Sequence, residues 1–96
     1  KKTPSIFFGT HCASIMNMHG VDTVIVTGAN TSGCIRGTSI DSFALGYKTI
    51  VPEECVYDQG SVAHRQNLED IGKRYVDVEP FELVLEHVKK SKQLAA

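Results

Sequence analysis

The 96 residues carry 10 basic and 11 acidic side chains, a formal net charge of −1, with 42% hydrophobic and 22% charged residues. That length and composition fit one compact soluble domain, and the near-balanced charge provides no surplus to hold a nucleic-acid backbone or an anionic membrane. No apolar run approaches the roughly 18–20 residues of a membrane span, and no apolar leader segment follows Lys1-Lys2. Three cysteines without CxxC spacing argue against a disulfide framework and a zinc ribbon, and so for a reduced, cytoplasmic setting.

In chain order, Thr10 to His19 predicts a short helix with Ile15 and Met18 on one face and Gly20 as its stop. The β-branched run Thr23-Val24-Ile25-Val26 predicts a strand covered on both faces, as in a parallel sheet. After the glycine turn from Gly28 to Gly33, a helix is expected over about 33–45, with Ile40, Phe43 and Ala44 sharing a face and Gly46 ending it. Thr49-Ile50-Val51 is the next strand, closed by Pro52, and Glu53 to Gly60 reads as a polar loop. A helix is expected over Asn67 to Lys73 and a weaker strand over Tyr75 to Val78. The clearest helix follows: Phe81, Val84, Leu85 and Val88 fall at i, i+3, i+4 and i+7, with Glu79, Glu82 and Glu86 toward its start and Lys89, Lys90 and Lys92 toward its end. Strands alternating with helices imply an α/β fold with a mostly parallel sheet.

Ligands in such sheets bind beyond the carboxyl ends of the strands. There lies Val26-Thr27-Gly28-Ala29-Asn30-Thr31-Ser32-Gly33-Cys34-Ile35-Arg36-Gly37. A phosphate loop would need Lys and Ser or Thr where Cys34 and Ile35 stand. A dinucleotide turn would need a glycine at Ile35, and Asp41 falls in the predicted helix rather than at the end of the next strand. A cysteine on the first helical turn after a strand is different chemistry. Helix-terminal amides favour thiolate and can hold a developing oxyanion, as acyl transfer from an amide requires. Plain packing of a small buried cysteine competes with that reading on spacing alone.

The stretch from Thr23 to Arg36 resembles the nucleophile segment of the isochorismatase-like cysteine hydrolases, within them most nearly the branch that acts on N-carbamoylsarcosine. The similarity extends upstream through Lys1 to Thr10, and downstream through Val51-Pro52-Glu53-Glu54-Cys55 and His64 to Ile71. It implies a three-layer α/β/α fold, of which residues 1–96 would form the carboxy-terminal portion of a single domain. By the resemblance, Cys34 is the nucleophile and the catalytic lysine, 33 positions before it, is Lys1. The Ala29–Asn30 peptide would be cis, the backbone N–H groups of Asn30 and Cys34 would form the oxyanion hole, and Thr31 would line the pocket. The general-base aspartate would lie before Lys1, because Asp22 is at the wrong end of its strand and Asp41, Asp58, Asp70 and Asp77 match no acid of the family.

The implied activity is hydrolysis of a C–N bond in a small carbamoyl or amide compound, with release of ammonia through a Cys34 acyl-enzyme. Gln59 stands where an arginine holds the substrate carboxylate in the N-carbamoylsarcosine branch, so a maleamate-like, ureido-acid or isochorismate-like substrate stays open. The alternative is a catalytically silent interaction or assembly module. No cofactor or metal is expected: His11, His19 and His87 lack ligand spacing. Cys12 and Cys55 read as packing residues and His64 as a structural hydrogen-bonding group. Expected partners are the small-molecule substrate, the amino-terminal half of the domain and further copies in a homo-oligomer, with Arg36 a candidate for a carboxylate across a subunit contact.

Overall fold

The computed structural model describes residues 1–95, with side chains through Ser91. Helix α1 (Cys12–Met18) precedes strand β1 (Thr23–Ile25) and the two-residue strand β2 (Gly28–Ala29). A π-helical turn (Thr31–Ile35) then runs into helix α2 (Arg36–Ala44). Strand β3 (Lys48–Pro52), a 3-10 turn (Glu53–Cys55), strand β4 (Val56–Tyr57), helix α3 (Ser61–Arg74), strand β5 (Asp77–Glu79) and helix α4 (Phe81–Ala95) follow.

The strands form a parallel sheet in the order β1-β3-β5, and beyond it β2 pairs in parallel with β4. The register sets Val24 opposite Thr49 and Val51 opposite Val78. The central strand β3 is buried from Thr49 through Pro52, which is what its continuous apolar run requires of a strand covered on both faces. Around it Val24, Val26, Ile35, Val51, Leu68 and Ile71 form one core, with Phe7 stacked on Tyr47 at 6.1 Å between ring centroids. Parallel pairing needs a crossover between neighbours, and α2 and α3 supply them. The result is the three-layer α/β/α arrangement with a parallel sheet. No helix among the described residues is long and apolar enough to cross a membrane.

Several elements differ from the sequence-based expectation. In α1, Ile15 and Met18 face solvent, and Cys12, Ala13 and Met16 pack on the core instead. The small Cys12 and Ala13 allow the helix to approach Tyr47, whose hydroxyl donates to Asn17 Oδ1 at 2.8 Å. In α2 the apolar residues lose again: Phe43 is half exposed, while Thr38, Ser39 and Ser42 are buried. Short hydroxyl side chains let the helix lie close to the sheet, and Ser42 Oγ meets Thr49 Oγ1 at 2.7 Å. Phe43 packs its edge on Tyr75 at 5.5 Å.

The stretch 53–60 is not simply a loop, since it holds the 3-10 turn and β4. A two-residue strand is too short to show a period, and only the burial of Val56 marks it. Helix α3 starts six residues earlier than Asn67, at Ser61, because its only buried residues, Leu68 and Ile71, lie in its second half. Tyr75 belongs to the end of α3, where the N–H groups of Tyr75 and Val76 both donate to the Ile71 carbonyl, so β5 begins at Asp77. Along α4 only Val84 of the expected stripe is buried; Phe81, Leu85 and Val88 stay partly exposed, and the Lys92 side chain lies outside the described residues.

Ile71 is 1% exposed and Ile15 54%. Ile71→Ala should therefore cost about 2–5 kcal/mol of stability in a denaturant titration. Ile15→Ala should stay within about 0.5 kcal/mol, although both positions read as apolar helix residues.

Candidate active site

The chain leaves the carboxyl end of β1 and turns sharply. Gly28 has φ +118°, a conformation that side chains rarely adopt, while a Cβ there would meet only Ile35 Cδ1 at an ordinary 3.8 Å. Backbone conformation, not space, therefore calls for glycine at this position. The Ala29–Asn30 peptide bond is cis. Asn30 itself is extended, at φ −89° and ψ 148°, and its carbonyl accepts from the N–H groups of Gly33 (3.0 Å) and Ile35 (3.2 Å). The second bond spans five residues, so the helix opens in π geometry at Thr31 rather than as an α-helix at Gly33.

Cys34 lies on this turn, half-buried. Lys1 Nζ approaches its Sγ to 3.8 Å. The segment that carries Lys1 is fixed against α2: the Ile6 N–H donates to Thr38 Oγ1 at 3.1 Å, and Phe7 is buried against Tyr47. This segment passes close over the nucleophile helix: a Cβ on Gly37 would reach the Ser5 backbone at 3.4 Å, an ordinary van der Waals distance. Lys1, Gly28, Ala29 and Cys34 share the wall of a cavity of about 330 Å³, floored by apolar side chains that include Val24, Val26 and Ile35. That volume suits a small molecule. A thiol, a cation and a tight backbone turn thus converge on one mostly apolar hollow beyond β1.

Other expected residues fall elsewhere. Thr31 is fully buried and its hydroxyl lies 2.8 Å from His64 Nδ1, so it packs beneath the turn rather than lining the cavity. Gln59 is exposed and outside the cavity wall. Arg36 donates to Asn67 Oδ1 at 2.8 Å within the chain. Cys12 and Cys55 are half-buried free thiols, and Cys12 packs against the core. Among the described residues no group of three His, Cys, Asp or Glu side chains could hold a metal ion, and no carboxylate lines the cavity. Asp22 lies just before β1, at the amino end of the sheet.

Sequence reasoning passed over Asp58. Its Oδ2 accepts the Ser32 N–H at 2.8 Å across 26 positions of sequence, and its Oδ1 accepts the Gln59 N–H at 2.7 Å. No local pattern signals a contact at that separation. The Ser32 hydroxyl first, and then its N–H, hold the Asp58 carboxyl below its ordinary value of 3.8, with the N–H groups of Gln59 and Gly60 adding to this against desolvation.

Two measurements follow from this geometry. Lys1→Met should slow alkylation of Cys34 at neutral pH by about three- to tenfold, and high salt should narrow the gap. Asp58 should make stability pH-dependent. Its carboxylate form is favoured in the folded state, so the unfolded chain binds more protons just below pH 3.8. The stability difference between wild type and Asp58→Asn should be fully present above that pH and shrink as the pH falls through the lowered folded-state value. Paired denaturant titrations from neutral pH into the acid range would show it.

The chain is similar to known proteins along most of its length. The family model described as the isochorismatase domain matches residues 1–81. A maleamate amidohydrolase of Pseudomonas putida is 46% identical over 81% of the chain, and an N-carbamoylsarcosine amidase of an Arthrobacter species is 35% identical over 92%. The higher identity to the former means that similarity does not single out the N-carbamoylsarcosine branch. The chain spans 37% and 33% of the lengths of these two relatives. The crystal structure of an isochorismatase-like hydrolase from Alkaliphilus metalliredigens superposes with a TM-score of 0.86 at 26% identity, over 91% of this chain and 47% of that one.

Proposed function

The chain belongs to the isochorismatase domain family, and from that premise we propose that it carries the nucleophile of a cysteine amidohydrolase acting on a small amide or carbamoyl compound. The observation that carries this reading is the approach of Lys1 Nζ to Cys34 Sγ, 3.8 Å, at the wall of a cavity that the Gly28–Ala29 turn also lines. The maleamate amidohydrolase and the N-carbamoylsarcosine amidase are both named for hydrolysis of a C–N bond in a small compound, which supports the same class.

In this mechanism the Cys34 thiolate attacks the carbonyl carbon, forming a C–S bond and moving an electron pair onto the oxygen. The backbone N–H groups of Asn30 and Cys34 hold that oxyanion, and the Lys1 ammonium steadies the negative charge. Collapse of the tetrahedral species breaks the C–N bond. The nitrogen takes up a proton and leaves as ammonia, and water then hydrolyses the acyl-enzyme at its C–S bond. A carboxylate is required to move these protons. None lines the cavity among the described residues, and the proposal assigns this base to none of them.

The substrate class includes maleamate-like and ureido acids. Gln59 provides a hydrogen bond but no charge, and it lies away from the cavity, so the proposal does not assign it the substrate carboxylate.

The test is ammonia release by the intact protein from a panel of small amides and carbamoyl acids. Cys34→Ser should lower turnover by at least about 10³-fold. Unchanged turnover in that variant would overturn the reading. Failure of every amide, together with a Cys34 unreactive toward a thiol probe, would favour a silent assembly module.

A further inference from the structure

The turn that bears Cys34 is held from one side by side chains of a single later stretch of chain. Asp58 Oδ2 takes the Ser32 N–H at 2.8 Å, His64 Nδ1 meets the Thr31 hydroxyl at 2.8 Å, and Asn67 Oδ1 takes Arg36 Nη1 at 2.8 Å. Residues 31, 32 and 36 bracket Cys34 before and after. Two of the three clamps are also tied to their own neighbourhood. Asp58 Oδ1 accepts the Gln59 N–H, and Asn67 Nδ2 donates to the Ala63 carbonyl at 2.8 Å.

These bonds differ in what they hold. The His64 and Asn67 bonds end on side chains, which can turn without moving the backbone. The Asp58 bond ends on a backbone N–H two residues before the nucleophile, so it fixes the peptide plane from which the Cys34 turn continues. Asp58 also brings a negative charge toward the segment that must carry a thiolate. Through space that charge works against the thiolate. A carboxylate at this place therefore has a geometric use or none.

We propose that Asp58 is a positioning residue for Cys34: by holding the Ser32 N–H it sets the orientation of the nucleophile turn, with His64 supporting the same turn through Thr31. This rests on the reading of Cys34 as the nucleophile. Asp58 touches no reacting atom and acts only through the backbone that Cys34 shares.

The experiment measures alkylation of Cys34 by iodoacetamide at neutral pH in the intact protein, read by peptide mass spectrometry so that Cys12 and Cys55 do not interfere. Asp58→Ala removes both acceptor oxygens and should slow the reaction about tenfold, as a displaced reacting group does. Asp58→Asn keeps one acceptor oxygen and drops the charge, and should stay within about twofold of wild type. Ser32→Ala, which keeps the N–H, should also stay within about twofold. If Asp58→Ala does not fold by circular dichroism, Asp58→Leu, near in size and without an acceptor, is read in its place with the same expected loss.

Equal acceleration in Asp58→Ala and Asp58→Asn would mean that the charge acts through space and would overturn the proposal. Wild-type rates in Asp58→Ala would overturn it as well. Alkylation needs no substrate, which separates this proposal from the function. Cys34-dependent ammonia release with unaltered alkylation in Asp58→Ala defeats the positioning role alone. No ammonia from any amide, with alkylation still dependent on Asp58, defeats the function alone and supports the positioning role.

Discussion

The parallel pairing of β1 with β3 is the constraint on which the rest of the molecule depends. Parallel neighbours point their carboxyl ends the same way, so the turns that leave β1 and β3 emerge side by side. The continuation of that pairing, β2 with β4, carries the Gly28–Ala29 turn and the approach to Asp58 as adjacent strands. The Ser32 N–H then meets the Asp58 carboxylate because both chains have just left the same edge of the sheet. An antiparallel arrangement would send one of these turns to the opposite end and separate the two groups.

Burial follows from the same geometry. β3 lies between β1 and β5 and is covered on both faces, so Thr49 is the one hydroxyl residue in its buried run and must be satisfied inside the core. Ser42 Oγ at 2.7 Å and the Tyr47 carbonyl at 3.2 Å do so. That requirement brings the hydroxyl face of α2 down onto the sheet and turns Phe43 outward. Because α2 continues the nucleophile turn, the seating of this helix also sets the height of Cys34 above the sheet. The Ile6 N–H to Thr38 bond uses the same helix to bring Lys1 to the thiol. A satisfied polar contact in the core and the pairing at the cavity wall are thus two consequences of one helix position.

Much of this was legible beforehand, and the elements show why. The run Thr23–Val26 announces a strand, but not its covering on both faces, since Val24 and Val26 are buried while Ile25 between them is exposed; Gly20 and Gly46, at φ +67° and +91°, end their helices as the sequence indicates. Helix faces were not legible where small residues compete with large ones. Periodicity counts Ile15, Met18 and Phe43 as core because they are apolar, but close packing against a sheet favours Cys12, Ala13, Ser39 and Ser42 because they are short. The first half of α3 was missed for a related reason. It presents Val62 to solvent and buries no side chain, so it has no apolar period to read.

The amino-acid sequence by itself determined the alternation of strands and helices and the family, and it named Lys1 and Cys34 as a pair to look for. Those features are written in short stretches: a β-branched run, a glycine stop, a motif of a dozen residues. Only the tertiary structure decided that Thr31 lies under the turn instead of in the cavity, that Gln59 stands apart from it, and that Asp58 grips the backbone beside the nucleophile. These are contacts between residues 26 and 33 positions apart, set by strand register and helix seating, and no local pattern of side chains encodes them.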